Sequence, residues 1–504
     1  MIATTYAAGL TGIDGFIVTV ECSVRSGIER FDVVGLPDNA VREARERVRT
    51  AALNTGFPFP ARNVLVNLAP ANRKKEGSAF DLAILVGILS AAGTLAEGAV
   101  RDTDCFIGEL SLSGEVRPAL GVLSLALAAR EAGFKRLFVP EANAQEAAVA
   151  EGISVFGIKD LPSLIAHLLG RAPLSPAVFT PPSAEAEYAC DFFEVAGQRK
   201  ARRALEIAAA GGHNVLLIGP PGSGKSMLAK RIPSILPPMS FAETVEVTRI
   251  HSVAGMLGSE GLVSRRPFRS PHHTVSAAGM IGGGSSPRPG EISLADHGVL
   301  FLDELPEYSP ALLETLRQPL EDGRVTVTRV AARADYPASF MLVCAMNPCR
   351  CGYFGDRSRP CTCRPEEVKR YLSRVSGPLL DRLDIQVEVP SLSFEEMNAK
   401  ERGESSAEIR ERVIAARARA AVRAPHPNAR LSPEELRRFC TPDEGGADLL
   451  RGAFSSLGLS ARGHDKILRI ARTIADLAGS EGITAAHIAE AIGYRSLDRK
   501  YWHR

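Results

Sequence analysis

The stretch NVLLIGPPGSGKSMLAKRI, Asn214–Ile232, decides the fold of the central part of this 504-residue chain. Its apolar residues Val215–Ile218 predict a strand, and the residues after Ser226 predict a helix. Between them runs G-x-x-x-x-G-K-[ST], which in this context is typical of a phosphate-binding loop. Glycines let backbone N–H groups turn towards a phosphate, and the helix N-terminus adds favourable partial charge. The stretch therefore predicts an α/β domain that binds a nucleoside triphosphate. The residues predicted to bind it are Gly219, Pro220, Pro221, Gly222, Ser223, Gly224, Lys225 and Ser226.

A hydrolysis site is predicted around this loop. Lys225 would reach the β- and γ-phosphates, and the Ser226 hydroxyl would ligate Mg²⁺. Downstream, the apolar strand in GVLFLDELPE (Gly298–Glu307) ends in two acids. Asp303 would help to hold Mg²⁺, and Glu304 would polarise the attacking water. ATP and Mg²⁺ are thus the predicted cofactors.

Three later residues are candidates for the same site, although each has an ordinary alternative. Asn347 ends the apolar strand in FMLVCAMNP, where an amide could orient the water, although an Asn after a strand is usually a turn residue. Arg382 follows a predicted helix in SGPLLDRLD, and Arg462 stands at a helix start in LSARG. Single arginines are commonly surface ion-pair formers. The residues by themselves leave these three roles open.

These motifs resemble, in their residues and in their order along the chain, those of the AAA+ ATPases. In detail they resemble the motifs of the magnesium-chelatase-like branch, the YifB/ComM group. The resemblance is carried by GPPGSGKS, RSPHHT, GGGSSPRPGEISLA, GVLFLDELPE, MNPCRCG, SGPLLDRLD and LSARG, between residues 214 and 463. It implies that Asn347 is the sensor-1 residue, Arg382 the arginine finger and Arg462 the sensor-2 arginine. An arginine finger acts on ATP held by a neighbouring subunit, so the resemblance implies a ring, with a hexamer as the expected form.

The N-terminal segment, residues 1–170, alternates short apolar strands with Ala-rich helical runs, which predicts an α/β or α+β domain. Its stretches KKEGSAFDLAI (Lys74–Ile84) and IGELSLSGEVRPALGV (Ile107–Val122) resemble the Lon-protease-like domain. Lon proteases use a Ser–Lys dyad. Ser78 lies near the position of the serine, but Leu123 and Ser124 stand where the lysine would be. Since a serine without a base is not activated, we expect a non-proteolytic module for assembly or DNA contact.

The rest of the chain divides into a linker and two further domains. Residues 171–189 are rich in Pro, Ala and Ser without periodicity, which indicates a linker. Residues 190–395 carry the motifs of the AAA+ core, and residues 396–504 read as a helical lid with an apolar face at helical spacing. The predicted fold is therefore multi-domain α/β with a C-terminal helical domain.

Two arginine-bearing segments of the central domain are candidates for contact with DNA. The stretch Val263–Gly290 contains no acid, and related AAA+ proteins carry an insertion here that faces the pore of the ring. The alternating residues of Glu321–Pro337 predict a β-hairpin. A cationic loop suits a phosphate backbone, although a solvated loop, a subunit interface or a plain sheet extension remain alternatives. The candidate DNA-binding residues are Arg265, Arg266, Arg269, Arg288 and Arg329.

Four of the nine cysteines lie close together, in NPCRCGYFGDRSRPCTC. Cys349, Cys351, Cys361 and Cys363 give the spacing C-x-C-x₉-C-x-C and offer four thiolates for a tetrahedral Zn²⁺. A metal would rigidify a loop that has little core of its own. A reversible disulfide switch and unliganded thiols are the alternatives.

The composition indicates the cellular environment of the protein more clearly than its function. With 45% hydrophobic and 23% charged residues and a net charge of +2, the chain reads as an ordinary globular protein. We see no signal peptide or membrane span, and we expect a reduced, cytoplasmic setting. Three functions compete: a helicase-like motor for DNA branch migration, a chelatase motor subunit, and a protein-remodelling or protease-like ring. The first is favoured because it is what the ComM-type resemblance implies.

Overall fold

A computed structural model describes residues 1–180, 188–258, 261–284, 287–328, 333–356, 359–393, 396, 403–457 and 459–502, without the side chains of residues 456, 457, 498 and 499. Residues 181–187 of the predicted linker lie outside this described part. Three groups of helices and strands follow one another along the chain.

The N-terminal region combines a four-stranded sheet of order β1-β2-β4-β3, a parallel sheet of order β5-β8-β9 and five helices. Its strands are β1 (Ile2–Thr11), β2 (Asp14–Arg25), β3 (Arg30–Val34), β4 (Asn63–Ala69), β5 (Asp104–Phe106), β6 (Glu109–Leu110), β7 (Val116–Arg117), β8 (Arg136–Pro140) and β9 (Ser154–Ile158). Its helices are α1 (Asn39–Asn54), α2 (Asp81–Ala91), α3 (Val122–Glu131), α4 (Ala144–Ala147) and α5 (Leu161–Leu168). Helix α2 is apolar on nearly every side, and ten of its eleven residues are buried. A helix of this kind has to lie inside a domain, and α2 packs against β1 and β2.

The central region is built on a parallel five-stranded sheet of order β11-β14-β17-β10-β18. Its strands are β10 (Val215–Ile218), β11 (Phe268–Arg269), β12 (Gly282–Gly283), β13 (Arg288–Pro289), β14 (Val299–Leu302), β15 (Arg324–Thr328), β16 (Arg333–Pro337), β17 (Met341–Met346) and β18 (Ile385–Glu388). Its helices are α6 (Arg199–Gly211), α7 (Lys225–Ile235), α8 (Phe241–Val253), α9 (Ala277–Ile281), α10 (Glu291–Leu294), α11 (Pro310–Thr315), α12 (Arg317–Asp322), α13 (Pro365–Leu372) and α14 (Gly377–Leu380). Every residue of β10, β14 and β17 is buried, as expected for parallel strands covered on both faces. The α/β prediction for this region is confirmed.

Strand β10 occupies the topological switch point of that sheet. Its neighbours β17 and β18 both come much later in the chain: from β10 the chain runs to β11, β14 and β17 on one side of β10, and then crosses to β18 on the other side. In open α/β sheets, ligands bind outside the carboxyl end of the strand at such a point. The phosphate-loop sequence begins where β10 ends.

The predicted hairpin is present as β15 and β16, which pair antiparallel from Arg324 opposite Pro337 to Thr328 opposite Arg333. Val325 and Val327 are buried while Arg324 and Arg333 are exposed, so the period-2 pattern was read correctly. The tip, residues 329–332, includes Arg329 and lies outside the described residues.

The C-terminal region consists of helices in the part that is described. They are α15 (Ser406–Ala421), α16 (Pro433–Phe439), α17 (Glu444–Leu457), α18 (Ala461–Leu477), α19 (Ala485–Gly493) and α20 (Leu497–Tyr501). The apolar face of α18 shares one hydrophobic core with α6 and the central sheet. His213 Nε2 and Thr473 Oγ1 lie 2.9 Å apart across this boundary. The lid is therefore packed on the sheet that carries the phosphate loop.

Helix α8 connects the central region to the N-terminal region. Arg249 donates to Asp14 Oδ1 at 2.7 Å and to Ser124 Oγ at 3.1 Å. Ser252 donates to Glu146, a buried carboxylate whose pKa is raised by burial. No described helix has both the length and the apolar character that a bilayer crossing requires.

Candidate nucleotide-binding and hydrolysis site

The phosphate loop lies between β10 and α7 and is closed around the ammonium group of Lys225. Lys225 Nζ donates to the carbonyl oxygens of Gly219 and Pro220, each at 2.8 Å. Gly224, directly before α7, has φ of 92°, a left-handed conformation that favours glycine. Strand, left-handed glycine, buried lysine and helix N-terminus together form a cradle suited to the phosphates of a nucleotide.

The electrostatic state of Lys225 follows from its position. Its side chain is buried, and burial lowers the pKa of Lys225 to about 8, while the charges of Asp303 and Glu304 oppose this shift. A lysine with this pKa is mostly protonated at neutral pH. Bound phosphate would stabilise the protonated form further.

Ser226 and Asp303 meet beside the loop. Ser226 Oγ donates to Asp303 Oδ2 at 2.5 Å, although the two residues lie on different elements, α7 and the end of β14. Mg²⁺ prefers oxygen ligands of this kind and usually keeps several waters. The two residues predicted to hold Mg²⁺ therefore meet although β17 separates β14 from β10, the strand that precedes α7.

Asn347 also reaches the loop. It follows β17, which pairs with β10 in parallel, so the carboxyl ends of both strands lie at the same edge. Asn347 Oδ1 accepts a hydrogen bond from Lys225 Nζ at 3.2 Å. The amide therefore lies beside the lysine that is predicted to bind the terminal phosphates.

Glu304 is exposed and sits in a left-handed backbone conformation with φ of 51°. Its Oε2 lies 3.8 Å from Nδ1 of His273, which the sequence did not connect with the site. The signal that could have found it is RSPHHT, because these residues follow β11 and β11 pairs with β14. The ring of His273 also contacts that of His272, with centroids 4.1 Å apart and the planes tilted by 34°.

Arg382 and Arg462 do not join this cluster within the described contacts. Arg382 pairs with Glu321 and donates to the carbonyl oxygen of Pro378 at 2.8 Å. Arg462 is exposed at the start of α18, 4.0 Å from Asp381. Residues Asp381 and Arg382 are neighbours, so the two arginines lie near each other, and among the described contacts neither reaches the phosphate loop of the same chain.

The arginines predicted to contact DNA fall into two groups. Arg265 and Arg288 are exposed. Arg266 is buried, and its guanidinium donates to the carbonyl oxygens of Pro237 and His297, at 2.6 Å in both cases. The prediction for Arg266 is therefore wrong: its side chain holds the fold together and does not present its charge to a ligand.

The side chain of Arg269 is also paired within the protein. Its guanidinium forms a two-point pair with Glu291, with both distances at 2.7 Å. A bidentate pair of this kind is among the stronger side-chain contacts. In this conformation Arg269 does not offer a free charge to a phosphate.

A cleft of about 800 Å³ lies between the N-terminal and central regions. Arg288 and Arg333 line it from the central region, and Arg73 and Lys74 from the N-terminal region. Acids including Glu109 line it as well. The exposed arginines of the insertion and of the hairpin thus meet the N-terminal region in one place.

The four clustered cysteines converge on a single point. Cys349 Sγ lies 3.3 Å from Cys351 Sγ and 3.7 Å from Cys361 Sγ, and Cys351 Sγ lies 3.6 Å from Cys361 Sγ. Cys363 completes the group, with all four sulfurs within 4.8 Å of one another. Thiolates at about 2.3 Å from a tetrahedral zinc are about 3.8 Å apart, so the cluster has the dimensions of a metal site.

The cysteine loop packs directly on the phosphate loop. Gly352, between the two cysteine pairs, has φ of 90°, and a Cβ there would lie 2.4 Å from Cδ of Pro221. Any larger residue would push the two loops apart. The cluster is therefore placed to brace the nucleotide site.

Ser78 has no lysine partner of the protease kind. Its hydroxyl donates to Glu109, while Lys74 binds Glu76 and Lys75 binds the carbonyl oxygen of Pro70. Ser124 accepts from Arg249. The arrangement offers Ser78 no base of the Lon type.

Comparisons with known proteins agree with this picture. Family profiles match in three segments: magnesium chelatase, subunit ChlI, at residues 191–397; subunit ChlI of Mg-chelatase at 20–143; and the ChlI C-terminal profile at 403–495. The chain is similar to the competence protein ComM of Haemophilus influenzae, with 40% identity over 504 residues, 99% of this chain and 98% of that protein. It is similar to the uncharacterised protein YifB of Escherichia coli, with 42% identity over 494 residues, 98% of this chain and 96% of that protein.

A shorter similarity links the chain to a protease. Lon protease 4 of Sorangium cellulosum is 27% identical over 185 residues, which cover 34% of this chain and 23% of that protein. This likeness is partial, whereas the two preceding ones run through all three regions. Identity of 40% or more along nearly the whole of both chains goes far beyond a shared phosphate loop, so the chain belongs to the YifB/ComM-type family of magnesium-chelatase-like proteins.

Proposed function

We propose that the protein is an ATP-hydrolysing ring motor that acts on DNA, of the helicase or branch-migration type. The observation that carries the proposal is that two features occur in the same chain. Four residues of the proposed nucleotide site lie in hydrogen-bonded pairs at the carboxyl edge of the central sheet, and exposed arginines of two neighbouring segments line a cleft against the N-terminal region. The full-length similarity to a protein named for competence supports a role in transformation or recombination.

The residues of the nucleotide site divide the work of hydrolysis. Lys225 would bind the β- and γ-phosphates, and Ser226 and Asp303 would hold Mg²⁺, which supplies charge neutralisation on the phosphates. Glu304 would take the proton of the attacking water, and Asn347 would orient that water. His273, close to Glu304, follows the strand that leads into the insertion, and so offers a route by which a ligand at the insertion could affect hydrolysis.

Arg382 would act as the finger in a neighbouring subunit, which requires a ring, with a hexamer as the proposed form. Its partner in the single chain is Glu321, which lies next to the hairpin at the end of α12. The exposed Arg462, beside Asp381, would respond to ATP as the sensor-2 residue. Both roles follow the family resemblance, and the contacts of Arg382 away from its own phosphate loop are consistent with a finger that acts on a neighbouring subunit.

DNA would lie along the cationic residues of the cleft. Arg288 and Arg333 line the cleft and are exposed, and the contact of Arg333 with Asp335 is a long one at the surface, 3.9 Å between Nε and Oδ1, so both charges can reach a phosphate backbone. Arg265 is exposed outside the lining of the cleft and is proposed as an additional contact. Arg266 and Arg269 are left out of this surface for the reasons given above. The division into a Lon-protease-like domain at 1–170, a linker at 171–189, a core at 190–395 and a lid at 396–504 is part of the same proposal.

Zinc is proposed at the four cysteines. The sulfur separations fit a tetrahedral ion, and the loop lies between Asn347 and the segment that carries Arg382. A zinc ion there would stiffen the loop against Pro221 without taking part in the reaction.

The test measures ATPase rates of the purified protein alone and with single-stranded DNA, forked DNA or casein. We expect stimulation by DNA that weakens with salt. Replacing both Arg288 and Arg333 by Ala should reduce that stimulation. It should also reduce the slope of the logarithm of the DNA-binding constant against the logarithm of the salt concentration by about two, one for each lost phosphate contact. Arg451→Ala, which removes an exposed charge from α17, is the matched control and should retain the stimulation.

The outcomes separate the competing functions. Stimulation by casein and by neither DNA would favour a protein-remodelling ring. A rate that no DNA raises would remove the DNA motor from consideration, even if ATP hydrolysis itself were observed.

A further inference from the structure

We propose that Glu246, Asp296 and His297 form a second divalent-cation site, at the opposite end of β14 from the nucleotide. Asp296 and His297 precede β14, whereas Asp303 and Glu304 follow it. At about 3.3 Å per residue, the two ends are separated by roughly 20 Å. The site is thus independent of the proposed nucleotide chemistry and of the cysteine cluster.

The three candidate ligand atoms already lie close together. His297 Nε2 is 2.7 Å from Glu246 Oε2 and 3.5 Å from Asp296 Oδ2. All three atoms lie within 4.8 Å of one another. Nitrogen and oxygen ligands at about 2.0–2.1 Å from a tetrahedral Zn²⁺ are about 3.3 Å apart, so only small side-chain movements are needed.

Asp296 gives the observation that points to a ligand. Its side chain is buried, and its Oδ1 accepts a hydrogen bond from the backbone N–H of Ser339 at 2.6 Å. Its Oδ2 has no hydrogen-bond donor among the described residues, although it faces His297. A buried carboxylate oxygen of this kind is costly unless something satisfies it, and a cation would do so.

The surroundings orient the imidazole for such a role. Glu243 Oε1 lies 3.2 Å from Nδ1 of His297, which leaves Nε2 directed at Glu246 and Asp296. A metal-binding histidine commonly donates its other ring nitrogen to a carboxylate in this way. Glu243 is itself held by Arg266, whose guanidinium lies 3.2 Å away.

Charge and donor type indicate which ion would bind. Arg266 balances Glu243, so Glu246 and Asp296 remain to balance one divalent cation. One imidazole and two carboxylates suit Zn²⁺ or Mn²⁺ better than Mg²⁺, which favours oxygen ligands and retains water. The competing explanation is a purely ionic cluster, in which a proton on His297 and the nearby charges of Arg324 and Arg430 satisfy the two acids.

A cation here would have a structural consequence. Glu246 belongs to α8, the helix whose Arg249 and Ser252 bind the N-terminal region. Asp296 and His297 lead directly into β14, which carries Asp303. The ion would therefore fasten the helix that docks the N-terminal region to the strand of the hydrolysis site.

The test titrates Mn²⁺ into metal-stripped, full-length protein without nucleotide, by calorimetry and by the shift in Tm. Mn²⁺ is chosen because a cluster of thiolates binds it poorly. The Glu246→Gln variant removes a partly exposed ligand, and His297→Asn replaces the imidazole by a residue that tolerates the φ of 52° at that position. Asp303→Asn, which disables the magnesium site at the other end of β14, is the control.

We expect the Mn²⁺ equivalent of this cluster to persist in Asp303→Asn, whatever Mn²⁺ the wild type also binds at Asp303, and its affinity to be at least tenfold weaker in Glu246→Gln and His297→Asn. The rise in Tm with Mn²⁺ should be lost in the same two variants. Equal Mn²⁺ binding and equal Tm shifts in the wild type and both ligand variants would overturn the proposal and favour the ionic cluster.

Discussion

Asp384 connects the segment of the proposed arginine finger to the lid, and its charge should be a main contributor to the stability of that connection. It stands two residues after Arg382 in a largely buried position. Lys466 Nζ of α18 lies 3.1 Å from Oδ1, and His213 Nδ1 lies 3.4 Å from Oδ2. Burial by itself would raise the pKa of Asp384, but Lys466 and His213 more than offset it and hold the pKa well below its usual range.

The proposed perturbation is Asp384→Asn, which keeps the shape of the side chain and removes its charge. The buried ammonium of Lys466 then loses its counter-ion, and breaking one partner of a buried pair costs about 3–5 kcal/mol. At about 2–4 °C per kcal/mol for domains of this size, the Tm of the core and lid should fall by about 6–20 °C.

The assay is urea unfolding followed by the fluorescence of Trp502, the single tryptophan of the chain. Its Nε1 donates to the carbonyl oxygen of Leu372 at 3.3 Å, so its emission reports on contact between the C-terminal helices and the core. Lys466→Met removes the other charge, and the double variant should be less destabilised than the sum of the single ones.

The pH dependence gives a second check with a definite sign. Because the folded pKa of Asp384 is depressed, its stabilisation is present above the ordinary carboxyl pKa and is lost as the pH falls towards the folded value. The wild type should therefore lose more stability than Asp384→Asn between neutral pH and about pH 3. A loss below about 1 kcal/mol in Asp384→Asn, or strict additivity with Lys466→Met, would refute the reasoning about a buried ion pair.

Three further predictions concern the nucleotide site and the cysteine loop. Because burial places the pKa of Lys225 at about 8, the Kd for ATP should rise above that pH by up to about tenfold per unit, and Lys225→Arg should flatten the profile, both measured by calorimetry. Arg382→Ala should lower kcat of the assembled protein by about 10³- to 10⁵-fold, whereas Glu321→Ala, at an exposed partner, should change it by less than about tenfold in steady-state ATPase assays. Freshly purified, reduced protein should contain about one zinc per chain by elemental analysis, and Cys349→Ser should lose it.

Each of these has an outcome that would contradict it. A flat ATP-binding profile from pH 7 to pH 9.5 in the wild type would mean that Lys225 does not titrate in this range. Full ATPase activity in the Arg382→Ala variant would exclude Arg382 as an arginine finger. If Arg382 acts in trans, mixing inactive Arg382→Ala subunits with Glu304→Gln subunits, which keep the arginine but lack the base, should restore part of the ATPase rate. Zinc-free protein with four reduced thiols would leave the cysteine loop without its proposed brace.

Local sequence was sufficient wherever neighbouring residues in the chain are also neighbours in space. The phosphate loop, its strand and its helix are contiguous, so glycine spacing and apolar runs revealed them without any tertiary contact. The hairpin β15–β16 was predicted for the same reason, because alternation of buried and exposed residues is a local property of a strand.

Only the tertiary structure decided how residues from separate strands meet. Asn347 reaches Lys225 because β17 lies beside β10, and His273 reaches Glu304 because β11 lies beside β14; the sequence marked Asn347 as a candidate, but the strand order that creates these two contacts is not written in the spacing along the chain. The charge of Arg266 looked like part of a ligand surface, yet its side chain is buried against backbone carbonyls.

The physical reason is that a sequence records which residue types are present, whereas burial and pairing depend on which distant elements pack together. The sequence by itself determined the nucleotide loop, the α/β core and the family motifs. The tertiary structure decided which arginines remain exposed, that the four cysteines converge, and that Glu246 comes to lie against Asp296 and His297, because hydrogen bonds and charges act over a few ångströms of space and not along the chain.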